Sequence, residues 1–189
     1  MHLKWDKGER LIESDIELAY KICVFGNSQV GKTSLVLRFI TNTFKTNVQS
    51  TLGAAIHVKT LKFKGRSTSL QIWDFGGENK FRFLLPSYAK GSSAAIFMID
   101  ITNDFSYNNY EEWISVFKRG AGQNAENIPI LLVGGKLDLK QDREVFREDL
   151  EDLLEKEIFF NYLECSAKTG ENVEDIFNLT LRKIYSSNK

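Results

Sequence analysis

Residues 26–33 read GNSQVGKT, a glycine and a Gly-Lys-Thr triplet separated by four variable positions. Residue types at that spacing suit one kind of chemistry. Glycines let the backbone turn tightly enough to aim successive N–H groups at an anion, and a helix starting there adds the partial positive charge of its N-terminus. A lysine just before that helix reaches the outer phosphates of a nucleotide, and the next hydroxyl is a hard oxygen ligand for Mg²⁺. The motif predicts that Gly26, Asn27, Ser28, Gln29, Val30, Gly31, Lys32, Thr33 and Ser34 wrap a nucleotide's phosphates.

Such a loop works only where a strand hands over to a helix, and the flanking sequence predicts that setting. LAYKICVFG (18–26) is an apolar run suited to a strand buried on both faces of a parallel sheet. A helix over about 32–42 places Leu35, Val36, Phe39 and Ile40 on one side. After a polar loop come two strands, 55–63 and 68–74, joined through KGR as a hairpin, then AAIFMID (94–100) as another buried strand. Tyr110, Trp113, Ile114 and Phe117 mark a helix with one face on a sheet. IPILLVG (128–134) and FFNYLECS (159–166) read as strands. Phe146, Leu150, Leu153 and Leu154 mark one further helix, and Val173, Ile176, Phe177, Leu181 and Ile184 the last. Alternating strands and helices give an α/β fold with a mainly parallel sheet covered on both sides.

At 189 residues the chain suits one domain with a large core. Residues 1–16, with scattered Leu3, Trp5, Leu11 and Ile12, read as a flexible extension before a domain at 17–189. Lys+Arg and Asp+Glu both total 25, so no global field draws the protein to nucleic acid or an anionic membrane. Cys23 and Cys165 lack the spacing of a disulfide framework and read as buried thiols in a reducing, cytoplasmic setting. No run is long enough to span a bilayer. His2 breaks the N-myristoylation pattern and YSSNK at the end offers no cysteine to prenylate, so no direct lipid anchor is expected. His2 and His57 have no paired ligands in sequence and read as structural or solvated.

LAYKICVFGNSQVGKTSLVLRF, STLGAA, LQIWDFGGENKFRFLLPSYAKGSSAAIFMIDITNDFSY, ILLVGGKLDL and ECSAKTG occur in the order and at the spacings of the Ras superfamily of small GTPases. Over about residues 18–185 the chain resembles that superfamily, most of all its Rab branch, while WDFGG is similar to the Arf and Gα form of the same loop. The resemblance implies a P-loop NTPase fold: six strands, one of them antiparallel, with helices on both faces. It implies a monomeric switch that binds GTP or GDP with Mg²⁺ and hydrolyses GTP. By position, Thr51 resembles the switch I threonine that completes Mg²⁺ coordination alongside Thr33. Asp74 resembles the acid that holds the metal through water, and Gly77 the glycine whose N–H meets the γ-phosphate.

The resemblance also places the base. GGKLD (134–138) aligns with N-K-x-D, so Asp138 would accept from the donors of the guanine edge, where adenine would oppose acceptor with acceptor. Lys136 would lie along the ring, Ala167 of SAK (166–168) would give its N–H to the guanine oxygen beside Ser166 and Lys168, and Phe44 would stack near the base. Gly135 departs from the pattern, standing where the family keeps an asparagine, and implies weaker binding and faster release. Glu78 stands where the family keeps a glutamine. It can accept a hydrogen bond from water but, as an anion, cannot donate one to developing charge, so slow hydrolysis with Lys32 and Gly77 as partners is expected. Repulsion from the γ-phosphate would otherwise swing it aside. Arg82 reads as an exposed surface arginine. Ile56, Trp73 and Tyr88 correspond to the apolar trio through which Rab proteins meet effectors and regulators. A pseudo-GTPase holding guanine nucleotide as a structural ligand is the alternative; a P-loop ATPase or kinase is disfavoured by KLD with SAK.

Overall fold

The computed structural model describes residues 17–122 and 125–187. The expected extension at 1–16, His2 included, lies outside the described residues. Six strands form one sheet in the order β2-β3-β1-β4-β5-β6. They are β1 (Leu18–Phe25), β2 (Ala54–Phe63), β3 (Arg66–Phe75), β4 (Ala94–Asp100), β5 (Ile130–Gly135) and β6 (Asn161–Glu164). β2 and β3 pair antiparallel, joined at the Lys64–Gly65 turn, where both residues have positive φ; every other pairing is parallel.

Because strand side chains alternate between faces, each central strand feeds two cores. Ile22, Val24, Ile96, Met98, Leu131 and Val133 point to one face, where α1 (Lys32–Thr41) and α5 (Val173–Ser187) cover them. Phe39 of α1 stacks on Phe177 of α5, with ring centroids 3.8 Å apart. Cys23, Phe25, Phe97, Ile99 and Leu132 point to the other face, under α2 (Leu85–Ala89), α3 (Tyr110–Ala121) and α4 (Glu151–Glu155). Both cysteines are free and buried, and burial pushes their thiols up, Cys23 to about 11 and Cys165 to about 12. The strand ends leading into α1, α2 and α3 therefore converge along one edge, the usual place for a ligand in an open α/β sheet.

Two expected elements are shorter than their apolar patterns. The helix expected from Phe146 to Leu154 is a 3-10 turn, Glu148–Leu150, running into α4, and Phe146 is 52% exposed. The Phe146 N–H donates to Asp149 Oδ2 at 2.7 Å, a local cap that leaves Phe146 ahead of the turn while Leu150 and Leu153 stay buried. β6 covers only Asn161–Glu164, and Phe159 fills the core from the loop before it.

Candidate nucleotide site

At the end of β1 the chain turns through Gly26 (φ +138°), Gln29 (φ +64°) and Gly31 (φ +101°) into α1. A Cβ on Gly26 would stand 2.3 Å from the Met98 carbonyl oxygen, so both conformation and space require glycine there. Lys32, the first residue of the helix, folds back over the loop and donates to the Asn27 carbonyl at 2.5 Å. Burial pulls its ammonium down to about 8, opposed by the Asp74 carboxylate.

Thr33, Thr51 and Asp74 meet beside it. The Thr33 hydroxyl donates to Asp74 Oδ2 at 2.6 Å and the Thr51 hydroxyl to the same oxygen at 3.1 Å, with the two hydroxyls 2.9 Å apart. Asp74 is fully buried; burial pushes its carboxyl up, opposed by Thr33, Lys32 and Thr51. Its Oδ1 is buried with no hydrogen-bond partner among the described residues. An orphaned carboxylate oxygen beside two hydroxyl oxygens is an all-oxygen donor set, so these residues fit Mg²⁺.

The doubled glycine of WDFGG has a steric cause on each side. A Cβ on Gly76 would lie 2.4 Å from the Thr51 carbonyl oxygen, and the Gly76 N–H donates to Gly53 O at 2.8 Å. A Cβ on Gly77 would lie 2.4 Å from the Asn27–Ser28 peptide. The loop after β3 is therefore pressed between the Thr51 loop and the phosphate loop. Glu78 borders the same cleft, its carboxylate paired with Lys80 at 2.8 Å.

Gln29, Gly31 and Ser34 line both this cleft and a second one, so the two adjoin. The second is walled by Val30, Phe44, Lys136, Asp138, Ala167 and Lys168, with Met98 and Leu139. Ser166 lies buried behind it and donates its hydroxyl to Asp138 Oδ1 at 2.6 Å, while Lys168 Nζ stands 3.6 Å from Asp138 Oδ2. Lys136 adopts a left-handed conformation, φ +66°, and its ammonium reaches Asp100 Oδ2 at 2.5 Å. Asp100 also accepts from the Thr102 N–H and hydroxyl, so its carboxylate anchors the Lys136 head and stretches the alkyl stem along the cleft.

The model of the Ras family matches residues 21–186. The chain is 30% identical to the Ras-related protein Rab-19 of Rattus norvegicus over 186 residues, 98% of this chain and 84% of the relative. It is 34% identical to the Ras-related protein Rab-22A of Homo sapiens over 167 residues, 88% and 84% of the two chains. It is 33% identical to the Ras-related protein Rab-13 of Mesocricetus auratus over 165 residues, 87% and 79% of the two chains. The chain belongs to the Ras family. It is a Rab-like small GTPase, a GTP-binding switch protein, with the family's six-stranded fold.

In this Ras-family chain all but three of the residues expected at the nucleotide border the adjoining clefts or the Asp74 cluster. Gly26 supports the loop from below, Ser166 acts behind Asp138, and the Asn27 side chain faces away. Asn27 Oδ1 accepts from the Trp113 indole N–H at 2.8 Å and its amide donates to Ser106 O at 3.0 Å. Arg82 is not the exposed arginine expected. It is buried, stacks 4.4 Å from the Trp113 ring centroid, donates to Asn79 Oδ1 at 2.7 Å and pairs with Glu112. The loop after Glu78 is thereby tied to α3, and through Trp113 to the phosphate loop. Ile56 lies opposite Trp73 across the β2–β3 pair, and the Trp73 and Tyr88 rings stand 5.2 Å apart. Ile56 and Tyr88 are exposed. Among the described residues no helix is long and apolar enough to cross a membrane.

Sequence reasoning found the cleft but missed Asp100, Trp113 and Met98. Asp100 closes a strand and Trp113 lies on the core-facing stripe of a helix, and nothing local distinguishes them from ordinary packing residues.

Proposed function

We propose that residues 17–189 form a GTPase domain that binds GTP and GDP with Mg²⁺ and hydrolyses GTP slowly, resetting the loops around Thr51 and Glu78. The observation that carries this is the meeting of Thr33, Thr51 and Asp74 at one buried carboxylate, with Gly77 pressed on the phosphate loop. Loops from three parts of the chain share one small site, so a phosphate group arriving or leaving there moves all of them. Thr33 and Thr51 would hold the metal directly and Asp74 through water; Mg²⁺ when bound offsets phosphate charge. Lys32, held over the loop, supplies the outer phosphates with a nearly desolvated positive charge, and Asp138 with the Ala167 N–H selects guanine.

Glu78 accepts a hydrogen bond from the attacking water, and Lys80 at 2.8 Å offsets part of the repulsion between this carboxylate and the γ-phosphate. It donates nothing to the developing charge, which makes turnover slow. Single-turnover hydrolysis by the natural chain, Glu78→Gln and Glu78→Ala tests this: we expect the alanine form to be slower than the natural chain by roughly tenfold, less than a full general base contributes because Glu78 only orients the water. Equal rates would remove Glu78 from the chemistry. The same Lys80 pair favours a second reading, a pseudo-GTPase in which the carboxylate is held in its ion pair and guanine nucleotide is a structural ligand; no phosphate release from any of the three proteins would select it. In either case the surface with exposed Ile56 and Tyr88 around the half-buried Trp73 is the one offered to effectors and regulators.

A further inference from the structure

We infer that Met98 is a positioning residue for the nucleotide: its side chain braces the phosphate loop from beneath, in the space that the missing side chain at Gly135 leaves. The inference rests on the nucleotide reading of the cleft. Gly135 ends β5 and is absent from the residues with positive φ, so its conformation does not demand glycine. Space does. A Cβ built there would lie 2.5 Å from Met98 Cε, 2.8 Å from the Val30 carbonyl oxygen and 3.3 Å from Ile99 O. Carbon atoms in contact ordinarily stand about 3.5–4 Å apart, so the methionine methyl already occupies that place.

The same methyl faces the loop. A Cβ on Gly31 would stand 3.4 Å from Met98 Cε, an ordinary contact, and the Met98 carbonyl oxygen is what forces glycine at position 26. Met98 therefore faces Gly31 with its methyl and Gly26 with its backbone carbonyl, and it lines the cleft together with Phe44, Lys136 and Asp138. It is 1% exposed, as is Val30. An unbranched thioether suits an irregular gap between a strand end and a loop. The loop is held by packing across the sheet instead of by a polar side chain from β5.

Positions 98 and 135 must then act as a pair. Gly135→Asn alone drives a side chain into Met98 Cε and the Val30 carbonyl and lifts the loop. Met98→Val alone leaves a gap beneath it. Together, the shorter valine removes the collision with Met98 Cε while the close approach to the Val30 carbonyl remains, so the relief is partial. The test is release of fluorescently labelled GDP, chased with excess GDP, from the natural chain, each single variant and the double variant. We expect release to quicken by about tenfold in Gly135→Asn and roughly threefold in Met98→Val, with the double variant falling between the natural chain and Gly135→Asn. Met98→Leu, which keeps most of the apolar volume, should release within about twofold of the natural rate. Slower release in Gly135→Asn alone, or single effects that multiply in the double variant, would overturn the pairing while leaving nucleotide binding intact. Failure of the natural chain itself to retain labelled GDP would overturn this inference and the nucleotide reading together.

Discussion

At the phosphate end of the cleft, Thr33 and Thr51 meet at the buried Asp74 carboxylate, whose charge is felt by Lys32 held on the Asn27 carbonyl, and these polar groups are ordered before any ligand is considered. At the base end, Asp138 is oriented by Ser166, and Lys136 is stretched by Asp100, but the strand beneath them carries glycine where Met98 packs. One end is organised by charge and hydrogen bonds in a desolvated setting, where a missing partner is costly. The other is organised largely by shape. The contrast teaches where substitution is tolerated: an apolar contact can be rebuilt by a neighbour of suitable volume, whereas an anion that serves two hydroxyls and a lysine has no substitute within reach.

The sharpest way to break the contrast is at its most polar point. Asp74→Asn keeps the volume but removes the charge facing Lys32 and the acceptor shared by Thr33 and Thr51. GDP affinity should fall by roughly a hundredfold or more, the effect of unpairing one member of a buried charged cluster. Removing Mg²⁺ with a chelator should weaken the natural chain more than the variant, which keeps the Thr33 and Thr51 hydroxyls. Titration calorimetry with and without chelator checks both; a variant that responds to the metal as strongly as the natural chain would mean that Asp74 does not hold it. At the base end the expected effect is smaller and falls on selectivity. Asp138→Ala should cut the preference for GDP over ADP by on the order of tenfold to a hundredfold, the worth of hydrogen bonds to a charged acceptor, while phosphate contacts persist. Competition of the two nucleotides against labelled GDP measures the ratio directly.

The same contrast explains what could be read from the chain. GNSQVGKT was legible because the needs of a phosphate loop are local: glycines, a lysine and a hydroxyl at fixed offsets between a strand and a helix. Strands β1, β4 and β5 were legible as apolar runs for a similar reason. The Asn27–Trp113 hydrogen bond joins residues 86 positions apart, and nothing in the helix pattern around Trp113 distinguishes an indole that packs from one that also holds the phosphate loop. Arg82 looked like a surface residue because long charged side chains usually are; its burial follows from the Trp113 ring and Glu112, both on another element. Gly135 was visible as a departure, but its compensation by Met98 was not, because the two are neighbours across the sheet and not along it.

Glu164 offers the finest division between the two kinds of organisation, because it brings a polar network to the base end. It closes β6 and accepts both Arg143 nitrogens, at 2.8 and 2.6 Å, and the Tyr162 hydroxyl at 2.7 Å. Arg143 follows the Lys136–Asp138 loop, so this network pins that loop to the strand leading into Ser166. The Arg143 bonds hold the Glu164 carboxyl below its ordinary value of 4.5, despite partial burial. A carboxyl lowered in the folded state stabilises the protein above its unfolded value, and that stabilisation is lost as the pH falls through the lowered one. Glu164→Gln should therefore cost about 1 kcal/mol at neutral pH, a figure kept small because the pair is partly solvated. The deficit should close as the pH falls below 4.5 and the natural carboxyl itself takes up a proton. Urea unfolding of both proteins at neutral and acid pH checks the sign, and a deficit that stays constant into acid would assign the effect to altered packing and leave the base end organised largely by shape.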